Sequence, residues 1–155
     1  MTSLLNRRTA ILSAASMVVV PASGVAQTSE VWSVTEAHAA LQSDLIRMID
    51  VRSRAEWTET GVAERTWAIS LHEDRFSDRL FAARELAGNR ELALICATGG
   101  RSGSVMRSLR QAGYTGFIDV SEGMLGSQLG AGWIASGLPV VDIETALAAL
   151  PDPLA

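Results

Sequence analysis

The sequence predicts an α/β domain built on an open parallel β-sheet. Short apolar runs of strand length alternate with longer segments of helical periodicity, which is typical of repeated β-α-β units. The chain has 155 residues, which suits one domain after a targeting segment is set aside. It shows no internal repeat and no low-complexity tract. We therefore expect functional side chains at the carboxyl ends of the parallel strands.

Four segments are predicted as strands and three as helices. The strand candidates are short and apolar, and they are residues 45–51, 66–70, 91–96 and 116–120. The helix candidates space apolar residues three and four apart, and they are residues 35–41, 74–87 and 102–112. Gly88 and Gly113 follow the last two, as helix C-termini favour. The tail, residues 142–155, is expected to be partly helical up to Pro151, and the sequence leaves open whether it docks on the domain.

The first 26 residues have the pattern of a cleavable signal peptide. Arg7 and Arg8 precede an uncharged apolar run over 10–20, and small residues at 24–26 suit cleavage before Gln27. The run is shorter than the ~20 apolar residues that a membrane span needs. We expect a periplasmic or otherwise exported protein with no membrane association after cleavage. The arginine pair also resembles a twin-arginine signal, and the export route stays open.

The charge balance argues against polyanionic partners. Loss of Arg7 and Arg8 with the signal leaves 11 basic and 17 acidic residues, so the mature net charge is about −6 with histidines neutral. Nucleic acid and anionic membranes are therefore not expected as partners. Every basic residue is arginine, and the absence of lysine excludes Schiff-base chemistry.

The only cysteine, Cys96, follows a predicted strand and begins the segment Cys96-Ala97-Thr98-Gly99-Gly100-Arg101-Ser102. A strand that ends in a glycine-rich turn and leads into a helix directs several backbone N–H groups into one small space. A helix N-terminus and a nearby cation stabilise a thiolate. A lone cysteine forms no disulfide within the chain, and a thiol in an oxidising compartment needs a use or protection. We predict that Cys96 is a nucleophile in an anion-binding loop.

These motifs, in this order, resemble the single-domain rhodanese family of sulfurtransferases over residues 31–141. The matching elements are Asp50-Val51-Arg52 followed by Glu56-Trp57, the loop 96–102, Gly113-Tyr114 before a strand, residues 120–123, and Trp133 followed by residues 137–140. The resemblance implies a five-stranded parallel sheet with helices on both faces. Residues 61–66 depart from the family pattern. The spacer 124–132 is longer than usual, and a flexible flap and an ordinary surface loop are both open for it.

The resemblance implies transfer of sulfane sulfur through a persulfide on Cys96. The donor is a small anion such as thiosulfate, and the acceptor is cyanide, a thiol or a protein thiol. Backbone amides of the loop are expected to hold the anionic sulfur, and they belong to Thr98, Gly99, Gly100, Arg101 and Ser102. Glycines at 99 and 100 permit positive φ and close approach of the backbone. No metal and no cofactor is expected.

Charged residues in the loop and outside it are expected to support it. Arg101 has two open roles: to bind donor oxyanions, or to pair with Asp50 or Glu56 and brace the loop. Asp50 and Arg52 are expected to hold neighbouring strand ends together. The histidines, His38 and His72, are interpreted as surface or boundary residues.

Other functions fit parts of the pattern. Cysteine-based phosphatases and arsenate reductases place five residues between cysteine and arginine, whereas four separate Cys96 from Arg101, which favours sulfur over a phosphoryl group. A non-catalytic interaction module is the second alternative, although such domains often lack the cysteine that this chain retains. A periplasmic sulfur carrier shares the chemistry of an enzyme and differs only in its partners.

Overall fold

A five-stranded parallel sheet forms the centre of the computed structural model, which describes residues 30–155. The strands of this sheet are β1 (Val31–Trp32), β2 (Ile46–Asp50), β4 (Trp67–Ala68), β5 (Glu91–Ile95) and β6 (Phe117–Val120). Their order is β1-β6-β5-β2-β4, so β5 is the middle strand. A second, antiparallel pair joins β3 (Val62–Ala63) to β7 (Val140–Val141). The predicted signal peptide, residues 1–26, lies outside the described residues.

Six α-helices accompany the strands in the described part of the chain. They are α1 (Val34–Gln42), α2 (Arg54–Thr60), α3 (Phe76–Ala87), α4 (Gly100–Gln111), α5 (Gly132–Ala135) and α6 (Ile143–Ala148). The predicted α/β class is confirmed, and so are the parallel sheet and the helices on both of its faces. The pattern analysis did not predict β1, α2, α5 or the small antiparallel pair.

The side chains of each strand alternate between the two faces of the sheet, so the core is divided into two layers. In β5, Ala93 and Ile95 face the layer that contains α1 and Trp133. Leu92, Leu94 and then Cys96 face the opposite layer, which contains residues of α3 and α4. Because side chains of a strand alternate between the two faces, Cys96 follows β5 on the α3/α4 side.

The C-terminal tail packs on the domain. Helix α6 contributes the buried Ala146 to a third apolar cluster, around Trp57. A 3₁₀ turn (Asp152–Leu154) follows, and Leu154 is 0% exposed in the α3/α4 layer. Arg79 of α3 holds the turn, because its Nε and Nη2 donate to the Leu154 carbonyl over 2.8 and 2.5 Å.

Within residues 30–155, no helix combines the length and apolar character needed to cross a membrane.

Candidate active site

The Cys96 loop joins the middle strand of the sheet to α4. Helix α4 begins at Gly100, two residues before its predicted start, with Gly99 as its N-cap and no side-chain cap. The Gly99 N–H therefore remains available, and it donates to Cys96 Sγ over 3.2 Å. Ser102 Oγ lies 3.5 Å from the same sulfur and also donates to the Gly99 carbonyl. The sulfur thus lies beside a backbone N–H donor and a hydroxyl group at the start of a helix, an arrangement that stabilises negative charge.

Cys96 is enclosed by its own loop. The residue is 1% exposed, while Thr98 and Gly100 in the same loop are exposed. The burial of the cysteine favours a small or extended reactant over a bulky one.

Gly99 has the backbone freedom that the sequence analysis expected, whereas Gly100 does not need it. Gly99 has φ of +83°, and a Cβ there would lie 2.2 Å from the Ser121 carbonyl oxygen. Gly100 is not among the positive-φ glycines, and a Cβ on it would meet open space. Only Gly99 therefore requires glycine, because a side chain at this position would collide with the turn after β6.

The turn after β6 supports the loop from the other side. Met124 N–H donates to the Cys96 carbonyl over 2.8 Å, and Leu125 N–H donates to the Ala97 carbonyl over 2.9 Å. Gly123 allows this contact, because a Cβ on it would lie 2.4 Å from the Ala97 oxygen. The long spacer 124–132 thus begins in direct contact with the Cys96 loop, and its exposed side chains include Leu125 and Leu129.

Arg101 turns toward Glu56 of α2. Its Nη2 donates to Glu56 Oε1 over 2.5 Å and its Nη1 donates to Oε2 over 2.8 Å, which is the bidentate geometry of an arginine–carboxylate pair. These bonds, chiefly, lower the pKa of Glu56 from 4.5 to about 2. The same pairing raises the pKa of Arg101, with a smaller contribution from the nearby Cys96. Of the two carboxylates predicted as possible partners of Arg101, Glu56 is the one that it binds.

Glu56 also closes the start of α2. Ser53 is the N-cap of this helix, and its backbone N–H and hydroxyl donate to Glu56 Oε2 over 2.9 and 2.8 Å. The Glu56 N–H donates back to Ser53 Oγ, which completes a capping box. The Glu56 carboxylate therefore both caps the start of α2 and binds Arg101.

Asp50 and Arg52 form a separate pair beneath the site. Both side chains are 0% exposed, and Arg52 Nη2 donates to Asp50 Oδ2 over 2.7 Å. Arg52 also donates to Thr60 Oγ1 and to the Gly61 carbonyl, each over 2.7 Å. Asp50 ends β2 beside Ile95 of β5, so the pair lies between the strand that leads to the loop and the end of α2.

His72 is exposed, as expected of a surface or boundary residue, and it also contacts this group. Arg101 Nη1 donates to His72 Nε2 over 3.2 Å. His72 follows β4, whose carboxyl end lies at the same edge of the sheet as the end of β5. Its position after a predicted strand was the available signal. Residues 30–155 contain no group of three or more His, Cys, Asp and Glu side chains arranged to hold a metal ion.

Together these features define an α/β domain in which a cysteine follows the middle strand and accepts a hydrogen bond from the Gly99 amide at a helix N-terminus. The family model of the rhodanese-like domain matches residues 33–128, more than half of the chain. The chain therefore belongs to the rhodanese-like family. No match was found among curated protein sequences.

Solved structures include similar sulfurtransferases. The polysulfide-sulfur transferase homodimer of Wolinella succinogenes is 25% identical, with a TM-score of 0.54 over 72% of this chain and 77% of that one. A human single-domain sulfurtransferase is 24% identical, with a TM-score of 0.47 over 62% of this chain and 92% of that one. A Rhodopseudomonas palustris protein described as a possible tyrosine phosphatase is 18% identical, with a TM-score of 0.50 over 69% of this chain and 80% of that one. The Rhodopseudomonas palustris likeness concerns the fold alone, whereas the rhodanese-like family and the Wolinella succinogenes transferase support sulfur transfer in general.

Proposed function

We propose that this protein is a sulfurtransferase that carries sulfane sulfur as a persulfide on Cys96. One observation carries the proposal: the sole cysteine lies at the carboxyl end of the middle strand, and the Gly99 N–H donates to its sulfur. A hydrogen-bond donor that points at the sulfur stabilises both the attacking thiolate and the persulfide anion that replaces it. The rhodanese-like family supports the same chemistry.

The proposed donor is a small anion such as thiosulfate. The Cys96 thiolate attacks its outer sulfur, a bond forms between Sγ and that sulfur, and the bond to the sulfonate sulfur breaks. The electron pair of that bond leaves with sulfite, and the persulfide retains one negative charge. Because the loop encloses Sγ, a short donor with a terminal sulfur fits better than a bulky one.

The proposed second step returns the enzyme to its thiolate form. An acceptor such as cyanide or a thiolate attacks the terminal sulfur, and the S–S bond of the persulfide breaks. The pair from that bond returns to Sγ, so no external oxidant or reductant is consumed. A protein thiol that replaces the small acceptor would make this chain a sulfur carrier rather than an enzyme that acts only on small molecules.

Phosphate-ester hydrolysis fits the geometry less well. In such a reaction the loop arginine would share an oxyanion with the cysteine, whereas both Nη atoms of Arg101 are bound to Glu56. The four-residue spacing between Cys96 and Arg101 also makes a tighter loop. A purely structural interaction module would not need a hydrogen bond aimed at Sγ.

Intact-mass measurement tests the proposal directly. Thiosulfate is expected to add the mass of one sulfur atom to the protein, and cyanide is expected to remove it. Cys96→Ser should gain no mass, while Ser104→Ala, on the exposed side of α4, should behave as wild type. Failure of the wild type to gain sulfur from thiosulfate or polysulfide would overturn the catalytic proposal.

We also propose that the protein acts outside the cytoplasm after removal of residues 1–26. The support is the sequence pattern of that segment. Expression in a Gram-negative host should yield a periplasmic form that begins at Gln27. Replacement of Arg7 and Arg8 by lysine should block export only if the twin-arginine route is used. Full-length protein retained in the cytoplasm would contradict export.

A further inference from the structure

His72 contacts Arg101 of the Cys96 loop, although the proposed reaction assigns it no role. The group formed by Arg101, Glu56 and His72 is called the mouth of the loop below. Its ring is exposed, and its Nε2 lies 3.2 Å from Arg101 Nη1. The backbone N–H of His72 donates to Ser70 Oγ over 3.2 Å, which holds the turn after β4. The ring is therefore placed against Arg101 by its own segment.

The contact fixes the protonation of the ring. A guanidinium has only donors, so His72 Nε2 must provide the lone pair that accepts the hydrogen bond. A neutral ring that accepts this bond carries its proton on Nδ1. Protonation of Nε2 would place two N–H groups opposite each other, and the hydrogen bond to Arg101 would be lost.

The charged groups around His72 cancel one another, so protonation of its ring would change the net charge of this region. Arg101 and Glu56 cancel, and so do the buried Asp50 and Arg52. Glu73, next to His72 in the chain, is already paired with Arg54 and Arg79 over 2.6 and 2.7 Å, and the exposed Asp74 follows it. The remaining group is Cys96, which is negative as a thiolate or persulfide.

Glu56 stays ionised over the range in which histidine titrates, because its pKa is about 2. Histidine is the side chain that normally changes charge between about pH 5 and 8. Arg101 and Glu56 together carry no net charge, so the mouth is neutral when the His72 ring is neutral. The mouth gains one positive charge when the ring is protonated.

We propose that His72 is a positioning residue that sets the affinity of the site for anionic sulfur donors. In its neutral form it holds Arg101 on Glu56, and the mouth offers no net charge to a donor. In its protonated form it releases one hydrogen bond of Arg101 and adds a positive charge next to that residue of the Cys96 loop. This role rests on the proposed sulfur transfer.

The first experiment measures persulfide formation by quenched intact mass against thiosulfate concentration, without an acceptor. For the wild type, the half-saturating concentration should fall about threefold from pH 8 to pH 5.5, as expected for one solvent-screened charge. In His72→Gln that concentration should not change with pH. The maximal rate should keep its wild-type pH dependence in the variant.

His38→Gln is the matched control. His38 lies in α1, in the layer on the opposite side of the sheet, where its ring packs edge-on against Trp133. This variant should retain the wild-type dependence on pH. A pH-dependent half-saturating concentration that persists in His72→Gln would overturn the inference and leave the proposed function intact. Absence of any persulfide in wild type would instead overturn the proposed function.

A binding measurement on Cys96→Ser provides a second test without turnover. The chain has two histidines, so His38→Gln assigns their ring C–H signals in NMR spectra. Because binding and protonation are reciprocally linked, thiosulfate added at pH 6.5 should move the His72 signal toward its protonated position. The His38 signal should not move. Thiosulfate that binds without moving the His72 signal would contradict the inference.

Discussion

Two arginine–carboxylate pairs lie near Cys96, and their surroundings give them different roles. Arg52 and Asp50 are fully buried, and further hydrogen bonds to Thr60 and Gly61 satisfy the guanidinium. Removing one partner of such a pair leaves a buried charge, which typically costs about 3–5 kcal/mol. Arg101 and Glu56 are each nearly a third exposed, so solvent screens their interaction. The first pair is structural, and the second can be altered without unfolding the domain.

Glu56→Gln should lower the free energy of unfolding by about 1 kcal/mol at pH 7, since the pair is partly exposed to solvent. Glutamine retains an acceptor for the capping box, so the loss reports mainly the charge. The folded-state pKa of Glu56, about 2, lies below its ordinary 4.5. The stabilisation is therefore complete above about pH 5 and disappears as the pH falls from 4.5 toward 2. Urea denaturation across this pH range measures it.

Glu59→Gln is the control for this prediction. Glu59 is exposed on the same helix, α2, and its substitution should change stability by less than about 0.5 kcal/mol at every pH. A stability difference for Glu56→Gln that persists undiminished at pH 2 would show that the Glu56 charge is not its source.

The loop between β5 and α4 offers two adjacent glycines as a matched pair. Gly99→Ala should destabilise the protein by about 2 kcal/mol or more, because φ is positive and the new Cβ would strike the Ser121 carbonyl. Gly100→Ala should be neutral or slightly stabilising, since its surroundings are open and alanine favours the helix. Thermal unfolding of both variants tests this. Equal effects at the two positions would refute the steric explanation.

The elements that the sequence predicted are those with long or periodic apolar patterns. β5 has four consecutive buried residues after Glu91, and α3 buries apolar residues at helical spacing. β1 has only two residues and α2 buries only Trp57, so neither produces a periodic apolar pattern. The Ser53-x-x-Glu56 capping box was the one local signal for α2.

The site residues also divide into those whose contacts the sequence could predict and those whose contacts it could not. Cys96, Gly99 and Ser102 are close in sequence, and a strand-turn-helix pattern is enough to bring them together. The contacts of Arg101 depend on three separate elements, α2, α4 and the segment after β4. Sequence alone offered two candidate carboxylates for Arg101, and the position of His72 after a predicted strand did not show that it would contact the same guanidinium. The strand order brings these elements together. β5, β2 and β4 are neighbours in the parallel sheet, so the segments that follow them lie at the same edge.

At the scale of the whole molecule, the C-terminal tail completes the α3/α4 layer that also contains Cys96. Leu154 is fully buried there, and its carbonyl accepts two hydrogen bonds from Arg79. Arg79 Nη1 also donates to Glu73 Oε2 over 2.7 Å, and Glu73 follows His72 directly. The tail is thus connected, through one arginine, to the segment that positions His72.

Leu154→Ala should lower the free energy of unfolding by about 2–4 kcal/mol, because a fully buried leucine is truncated and a cavity remains. Leu45→Ala, at a position that is 65% exposed, should cost less than about 1 kcal/mol and serves as the control. Because only packing is lost, the Leu154 variant should still form the persulfide below its unfolding transition. Urea denaturation followed by intact-mass analysis separates the two effects. A Leu154 variant as stable as wild type would show that the tail is not part of the folded core in solution.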